Sequence, residues 1–360
     1  MRGLFRAAWR RSAYARSIVI AASLAGGIGG AGIAIGAEDS PFDAPEWSAP
    51  EDPWGDQRRD DGRIVDEIIC ESGDNSPRWF TVRTDALILE RVGVQSHVLL
   101  TDAGNGSTLL STSDAVPGWA AGPELDFRLH LSPTTDFEFE WFSVKYWDGQ
   151  QNAPLNGGIV EPVGAALSSA VVGVTSQLRN YEFNLRRQVH EFFTLLAGFR
   201  YVELNDGLGY SYSQSSTEFT ENAQIQGMNR LYGFQIGGQG MMWRSECWWV
   251  DAWLKGGIYG NAASQSTDVL VSGFSVPSGS IRASASHAAF VGDLGLRLTR
   301  RFGEHTMAFV GYRLMFLGGV ALAANQYDNV VGFFNGGGQR VTTDGSLWLQ
   351  GIEVGITFSY

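Results

Sequence analysis

From residue 78 onward, apolar and polar positions alternate one by one, the period of an extended strand whose two faces meet different surroundings. In LDFRLHL, Leu125, Phe127, Leu129 and Leu131 fall on one side and Asp126, Arg128 and His130 on the other. FVGDLGLRL sets Phe290, Leu294, Leu296 and Leu298 against Asp293 and Arg297. MAFVGYRLMF sets Val310, Tyr312, Leu314 and Phe316 against Arg313. The last residues, GITFSY, place Ile356, Phe358 and Tyr360 on one face. Ten segments carry the alternation: 78–92, 121–131, 136–147, 173–187, 192–205, 228–243, 248–261, 286–301, 306–318 and 346–360.

The connections between these segments predict the architecture. Short ones at 132–135, 188–191, 244–247 and 302–305 alternate with long ones at 93–120, 148–172, 206–227, 262–285 and 319–345. The long ones are rich in Gly, Asn, Ser and Gln, as in DAGNGSTLLSTSD and FFNGGGQRVTTDG. Outer-membrane barrels have this arrangement, with an even number of antiparallel strands, short periplasmic turns and long outer loops. A soluble sandwich has no reason to alternate so. The expectation is an all-β fold, a transmembrane antiparallel up-and-down β-barrel of about ten strands, with both ends of the strand region on the periplasmic side. Twelve strands result if STDVLVSGFSV and GSIRASAS, within 262–285, pair as part of the wall.

Sidedness assigns the charges. An ionised group facing lipid at mid-depth costs roughly 2–4 kcal/mol, so charged positions must face the lumen. The same parity puts Arg83, Asp85, Asp126, Arg128, Glu138, Glu140, Glu182, Arg186, Arg200, Asp251, Lys255, Asp293, Arg297, Arg313 and Glu353 inside. A barrel of about eight strands is filled by its own side chains, and ten strands are little wider. Long groups of opposite sign would largely fill such a space and must pair, since unpaired buried charge is expensive. A cross-linked lumen with at most a narrow path follows.

Composition agrees with membrane strands. Charged residues are 18% of the chain, against the ~25% of soluble domains, and 46 of 360 residues are Gly. The long uncharged run, SIVIAASLAGGIGGAGIAIGA, follows five Arg and precedes EDS, the pattern of an export signal spanning 1–37. Its six Gly and single Leu suit a retained anchor helix poorly. Removing its five positive charges takes the net charge from −12 to −17, which argues against nucleic acid as a partner. Residues 38–77, with PFDAPEWSAPEDPWGDQRRDDGR, read as a Pro/Trp/Asp-rich periplasmic arm, and 78–360 as the barrel.

Candidate chemistry is sparse. Cys70 and Cys247 are the two cysteines; with no CxxC and no neighbouring His at ligand spacing, they suggest no metal. Both fall on the short-turn side of an exported chain, so a disulfide is expected to tie the arm at the barrel mouth. Ser286-His287 is unsuited to nucleophilic catalysis because adjacent strand residues face opposite ways. Glu138 and Glu140 share a face and could act as acid and base, but salt bridges to groups such as Arg128 explain them better. GFQIGGQG lacks the strand–turn–helix setting of a dinucleotide loop, and DQRRDD lacks a calcium-binding loop. No catalytic residue, metal or cofactor is expected.

AGFRYVEL at 197–204, NRLYGFQIGGQ at 229–239, AAFVGDLGLRLT at 288–299, GYRLMFLGGVALAANQ at 311–326 and the closing strand resemble the putative beta-barrel porin family 7, of planctomycete-type bacteria. The resemblance spans about 78–360 and implies an outer-membrane barrel with a porin role; it brings no catalytic or ligand residues. Two functions are therefore weighed. One is a porin with a narrow charged lumen passing small solutes weakly. The other is a non-transporting structural barrel whose outer loops bind an envelope partner. Outer-membrane lipid is the surrounding medium, and a closing strand ending in Phe358 and Tyr360 is what the barrel-assembly machinery is expected to read.

Overall fold

The structure, a computed structural model, describes residues 78–161, 165–216, 218–273 and 278–360. The expected export signal, the arm and Cys70 lie outside the described residues. Among the described residues the strands are β1 (Phe80–Val92), β2 (Val98–Asp102), β3 (Thr108–Ser111), β4 (Trp119–Ser132), β5 (Thr135–Asn152), β6 (Ile159–Glu161) and β7 (Ala165–Ala166). They continue with β8 (Ser169–His190), β9 (Phe193–Gln214), β10 (Phe219–Arg244), β11 (Trp248–Ser272), β12 (Gly279–Arg301) and β13 (Thr306–Val320). A short helix, α1 (Tyr327–Phe334), precedes β14 (Gly345–Ser359).

Ten of these strands close into an antiparallel barrel in the order β1-β14-β13-β12-β11-β10-β9-β8-β5-β4. Closure is made by β14 on β1, where Val82 faces Phe358 and Ile88 faces Ile352. The short strands β3-β2-β6-β7 form a separate sheet. One row of cross-strand partners can be followed right round the wall. It runs from Trp248 through Arg300, Ala308, Ile356, Thr84, Leu125, Trp141, Tyr181, Tyr201 and Tyr232. It returns to β11 at Gly260, twelve residues further along (260 − 248 = 12). Ten strands with that stagger tilt by about 40° and enclose a backbone cylinder about 20 Å across.

The outer face marks where the bilayer lies. Phe183, Phe199, Phe234, Ile258 and Phe290 form one lateral row, and Tyr181, Tyr201 and Tyr232 form the next. Two residues further out, Arg179, Glu203 and Arg230 stand side by side. Tyrosine followed by charge is the signature of the hydrocarbon–water boundary. At the opposite end Phe80 stacks on Phe127 and Tyr360, and Arg300 lies over Trp248 and Phe302. On β10 the outward apolar stretch from Tyr232 to Met242 matches the ~9–11 residues a strand needs to cross.

The strands continue well past that boundary, which corrects the sequence reading. Residues 206–227 and 262–285 are not long loops: β9 runs on to Gln214 and β10 starts at Phe219, while β11 runs on to Ser272 and β12 starts at Gly279. Alternation persists there, with Tyr210, Tyr212, Ala223, Ile225, Val269 and Ile281 buried. Its outward half, however, switches to Gly207, Ser211, Asn222, Gln224 and Ser266, because water rather than hydrocarbon lies outside. A strand greasy only on its inner face reads as a loop. The two candidate extra strands do pair, Ser266 facing Arg282 and Asp268 facing Ser280, but as the upper ends of β11 and β12. The barrel stays at ten.

This boundary predicts a depth dependence. Leu294→Arg, inside the apolar band, is expected to cost roughly 2–4 kcal/mol, and Gln226→Arg, outside it, close to nothing. Reversible urea unfolding in phospholipid vesicles measures both.

Candidate functional site

The inner face of β1 shows how the lumen is layered. Its inward residues are, in order, Arg83, Asp85, Leu87, Leu89 and Arg91, so charge gives way to hydrocarbon and then to charge again. The same order recurs around the wall.

The half of the lumen nearer the short turns is an ion network. Arg313 sits at its centre, with Nη1 2.8 Å from Glu124, Nη2 2.9 Å from Glu140 and 2.5 Å from Asp293. Its guanidinium also lies 4.7 Å from the Phe142 ring centroid. Lys255 Nζ bridges Glu140 and Glu182 at 2.8 and 2.9 Å. Arg200 donates to Asn180 at 2.7 Å and lies 3.3 Å from Glu182 and 3.4 Å from Asp293. Nearer the mouth, Arg128 and Arg186 both hold Glu138, Arg128 also reaches Asp126, and Arg186 donates to Gln239. Arg83 pairs with Glu124 and Asp126, and Arg297 with Glu353 at 2.6 Å. Arg297 is sandwiched between Trp253 and Phe309. Asp251 accepts from Trp249 Nε1 at 2.9 Å. Asp85 is the exception: both its oxygens are buried without a hydrogen-bond partner.

The structure thus brings all fifteen sequence-assigned charges to the inside, Arg128 being the most exposed at the mouth. Three further groups belong with them. Glu124 shares its parity with Asp126 on β4 and could have been assigned by the same rule. Arg91 ends the inward series of β1, and its partner Asp206 lies in a stretch that reads as loop. Of Glu138 and Glu140, weighed as an acid–base pair, the first is engaged by two cations and the second by three.

Above the ions the lumen is packed with hydrocarbon. Leu87, Leu89, Phe142, Trp147, Leu178, Leu231, Tyr259, Met315, Leu317 and Leu349 form one buried cluster. Trp147 turns inward at a bulge in β5, where Tyr146 adopts φ 67°, and donates to the Leu89 carbonyl at 2.8 Å. Over this layer the chain after β13 folds back into the barrel. Gly319, at φ +80°, starts the bend, and its carbonyl accepts from Asn261 at 3.0 Å. Asn229 clasps Ala321 through both backbone groups, at 2.7 and 2.9 Å. Gly227 lacks the Cβ that would stand 2.4 Å from the Ala321 carbonyl. Asp206 accepts from Ala323 N at 2.8 Å while holding Arg91. The stretch GGVALAANQ, the second half of the 311–326 run that carries part of the family resemblance, therefore sits as a stopper in the mouth away from the short turns.

Outside it, Leu99, Leu100, Leu110, Val160, Tyr210 and Val330 form a second apolar cluster, a crown joining the small sheet, α1 and the tall strands. In the crown, Asn156 and the Gly104 amide donate to Asp102 and hold its carboxyl below the usual range. Free space reflects this layering. A cavity of ≈ 20 Å³, about one water, remains among the ions. A vestibule of ≈ 330 Å³ opens at the short-turn end, lined by residues including Arg128, Asp136, Glu191, Trp249 and Asp251. Cys247, in the turn between β10 and β11, is disulfide-bonded.

The family model for putative beta barrel porin-7 matches residues 158–360, more than half of the chain. No curated protein matches the sequence. Among solved structures, the Escherichia coli outer membrane protease OmpT is 10% identical with a TM-score of 0.43, covering 81% of this chain and 100% of its own. The Ralstonia pickettii toluene transporter TbuX is 10% identical at TM-score 0.31, covering 78% and 88%. The P. putida toluene transporter TodX is 8% identical at TM-score 0.31, covering 79% and 90%. At such scores neither proteolysis nor toluene transport bears on this chain.

Arg313→Met takes one cation from each of three buried carboxylates and is expected to cost about 3–5 kcal/mol. Adding Asp293→Asn should recover part of that loss, a coupling of about 0.5–3 kcal/mol. Unfolding midpoints of the two single variants and the double variant complete the cycle.

Proposed function

The chain belongs to the putative beta barrel porin-7 family, and we propose that it is an outer-membrane barrel held shut across its lumen, working chiefly from its outer surface. The observation that carries this reading is the stopper. Residues 319–326 lie on a continuous apolar layer, and the cavity among the paired ions below them holds about one water. Passing a hydrated solute would require breaking the Asn229 clasp, disrupting the Trp147 layer and separating buried ion pairs. The crown and the tall strand ends give such a barrel an outward surface, which suits an envelope partner.

A second reading has its own support. The vestibule opens on the periplasmic side, and the family's description is that of a porin. On that reading the stopper is a gate, and small solutes pass weakly when it yields. In both readings residues 1–37 export the chain, the closing strand with Phe358 and Tyr360 is recognised during assembly, and outer-membrane lipid surrounds the band. A Cys70–Cys247 bond fastens the arm beside the β10–β11 turn.

Planar-bilayer recordings of the refolded chain test the leading reading. The wild type should give a flat trace at both polarities, and Gly227→Val, which drives a side chain into the Ala321 backbone, should produce intermittent openings. A steady wild-type conductance would replace this reading with the porin. For the thiols, iodoacetamide should label neither cysteine before reduction and both after it.

A further inference from the structure

Asp85, Glu124 and Glu353 meet on the lumen wall from three strands, β1, β4 and β14. One carboxylate oxygen of each lies within 4.8 Å of the other two. The wall is cut back to admit them: a Cβ on Gly355 would stand 2.4 Å from that of Asp85, and one on Gly311 would stand 2.5 Å from Glu353 Oε1. Their partners are unevenly shared. Both Glu124 oxygens are taken, by Arg83 and Arg313, and Glu353 Oε1 is taken by Arg297. Glu353 Oε2 and both Asp85 oxygens have no hydrogen-bond partner, although both side chains are fully buried. The cation nearest Asp85 is Arg83, whose Nε is 4.0 Å away.

The charge of the whole network points the same way. Among the described residues its acids are Asp85, Glu124, Asp126, Glu138, Glu140, Glu182, Asp251, Asp293 and Glu353, nine in all. Its bases are Arg83, Arg128, Arg186, Arg200, Lys255, Arg297 and Arg313, seven in all. Two negative charges are left over, and the oxygens without donors are on Asp85 and Glu353. Buried carboxylates left bare are strongly unfavourable, so something positive belongs between them.

We propose that Asp85, Glu124 and Glu353 bind one hard divalent cation of the calcium class. Calcium takes six to eight oxygens at about 2.3–2.6 Å, so oxygens on opposite sides of it lie up to about 5 Å apart. Three converging carboxylates fit that span, and waters complete the shell. Asp85 supplies one or both free oxygens, Glu353 supplies Oε2, and Glu124 is shared with its arginines. A charge of two cancels the surplus. The ion has a way in: Arg83 and Thr357, which line the vestibule, are one rung from Asp85 and Gly355 along β1 and β14.

The test uses the full refolded chain, dialysed against calcium and then against calcium-free buffer, with bound metal measured by elemental analysis. About one calcium per chain is expected. Asp85→Asn and Glu353→Gln should each weaken binding at least tenfold, and Asp268→Asn, on the exposed upper wall, should leave it unchanged. Both site variants remove surplus negative charge, so heat-dependent gel mobility should show them folded. EGTA should lower the unfolding midpoint of the wild type and not that of Asp85→Asn. Two results overturn the proposal. One is calcium retained equally by Asp85→Asn and Asp268→Asn, which places the ion elsewhere. The other is no bound calcium with a midpoint indifferent to EGTA, which means protons supply the balance.

Discussion

Everything in this molecule follows from one constraint: ionised side chains are excluded from the outer wall by hydrocarbon and denied water inside it. A wide barrel would answer with a wet channel. At ten strands and a stagger of twelve the interior is narrow, and a buried charge must be answered by an opposite charge held inside with it. Arg313 shows the result, a guanidinium that joins carboxylates on β4, β5 and β12 across the lumen. Above the ions, where no counter-charge is supplied, the wall turns to Leu, Val and Met. The two layers lie between a vestibule that opens at the short-turn end and the segment that folds back into the other end.

The asymmetry of the strands serves the same end. Strands β8 to β12 run far past the tyrosine row, while β1, β4, β13 and β14 stop near it. On the short side, the long connections between strands are free to fold inward and over the top. The segment after β13 does so, and polar side chains from the tall strands, Asn229, Asn261 and Asp206, catch its backbone. The tall wall supplies the hands, and the short wall supplies the chain they hold.

How much of this was legible in the sequence depends on which face the information lay on. Inside the membrane both faces are constrained, oily outward and charged or packed inward, so LDFRLHL and FVGDLGLRL declare themselves. Beyond the membrane only the inner face is constrained. The strand from Asn205 to Gln214, with Gly207, Gly209, Ser211 and Ser213 outward, then looks like a loop. Glu124 was within reach of the parity rule, and Arg91 as well, though its partner Asp206 was hidden by the misread loop. The convergence of Asp85, Glu124 and Glu353 was not legible, because it depends on the register of three strands drawn from opposite ends of the chain. The stopper was invisible for a related reason: GGVALAANQ has neither strand alternation nor a helix-sized apolar face, and its backbone is satisfied by distant amides.

The ion pairs also carry a message about assembly. Arg313 and Glu124 are 189 positions apart, and Arg313 and Glu140 are 173 apart. Contacts that span so much chain form late and together, since each needs a large loop to close first. An unrolled sheet entering the bilayer would hold these ions apart and bare, so no half-built intermediate can rest there in comfort. Zipping β14 onto β1 is thus the moment that commits the protein, turning a row of isolated electrostatic liabilities into its interior cement.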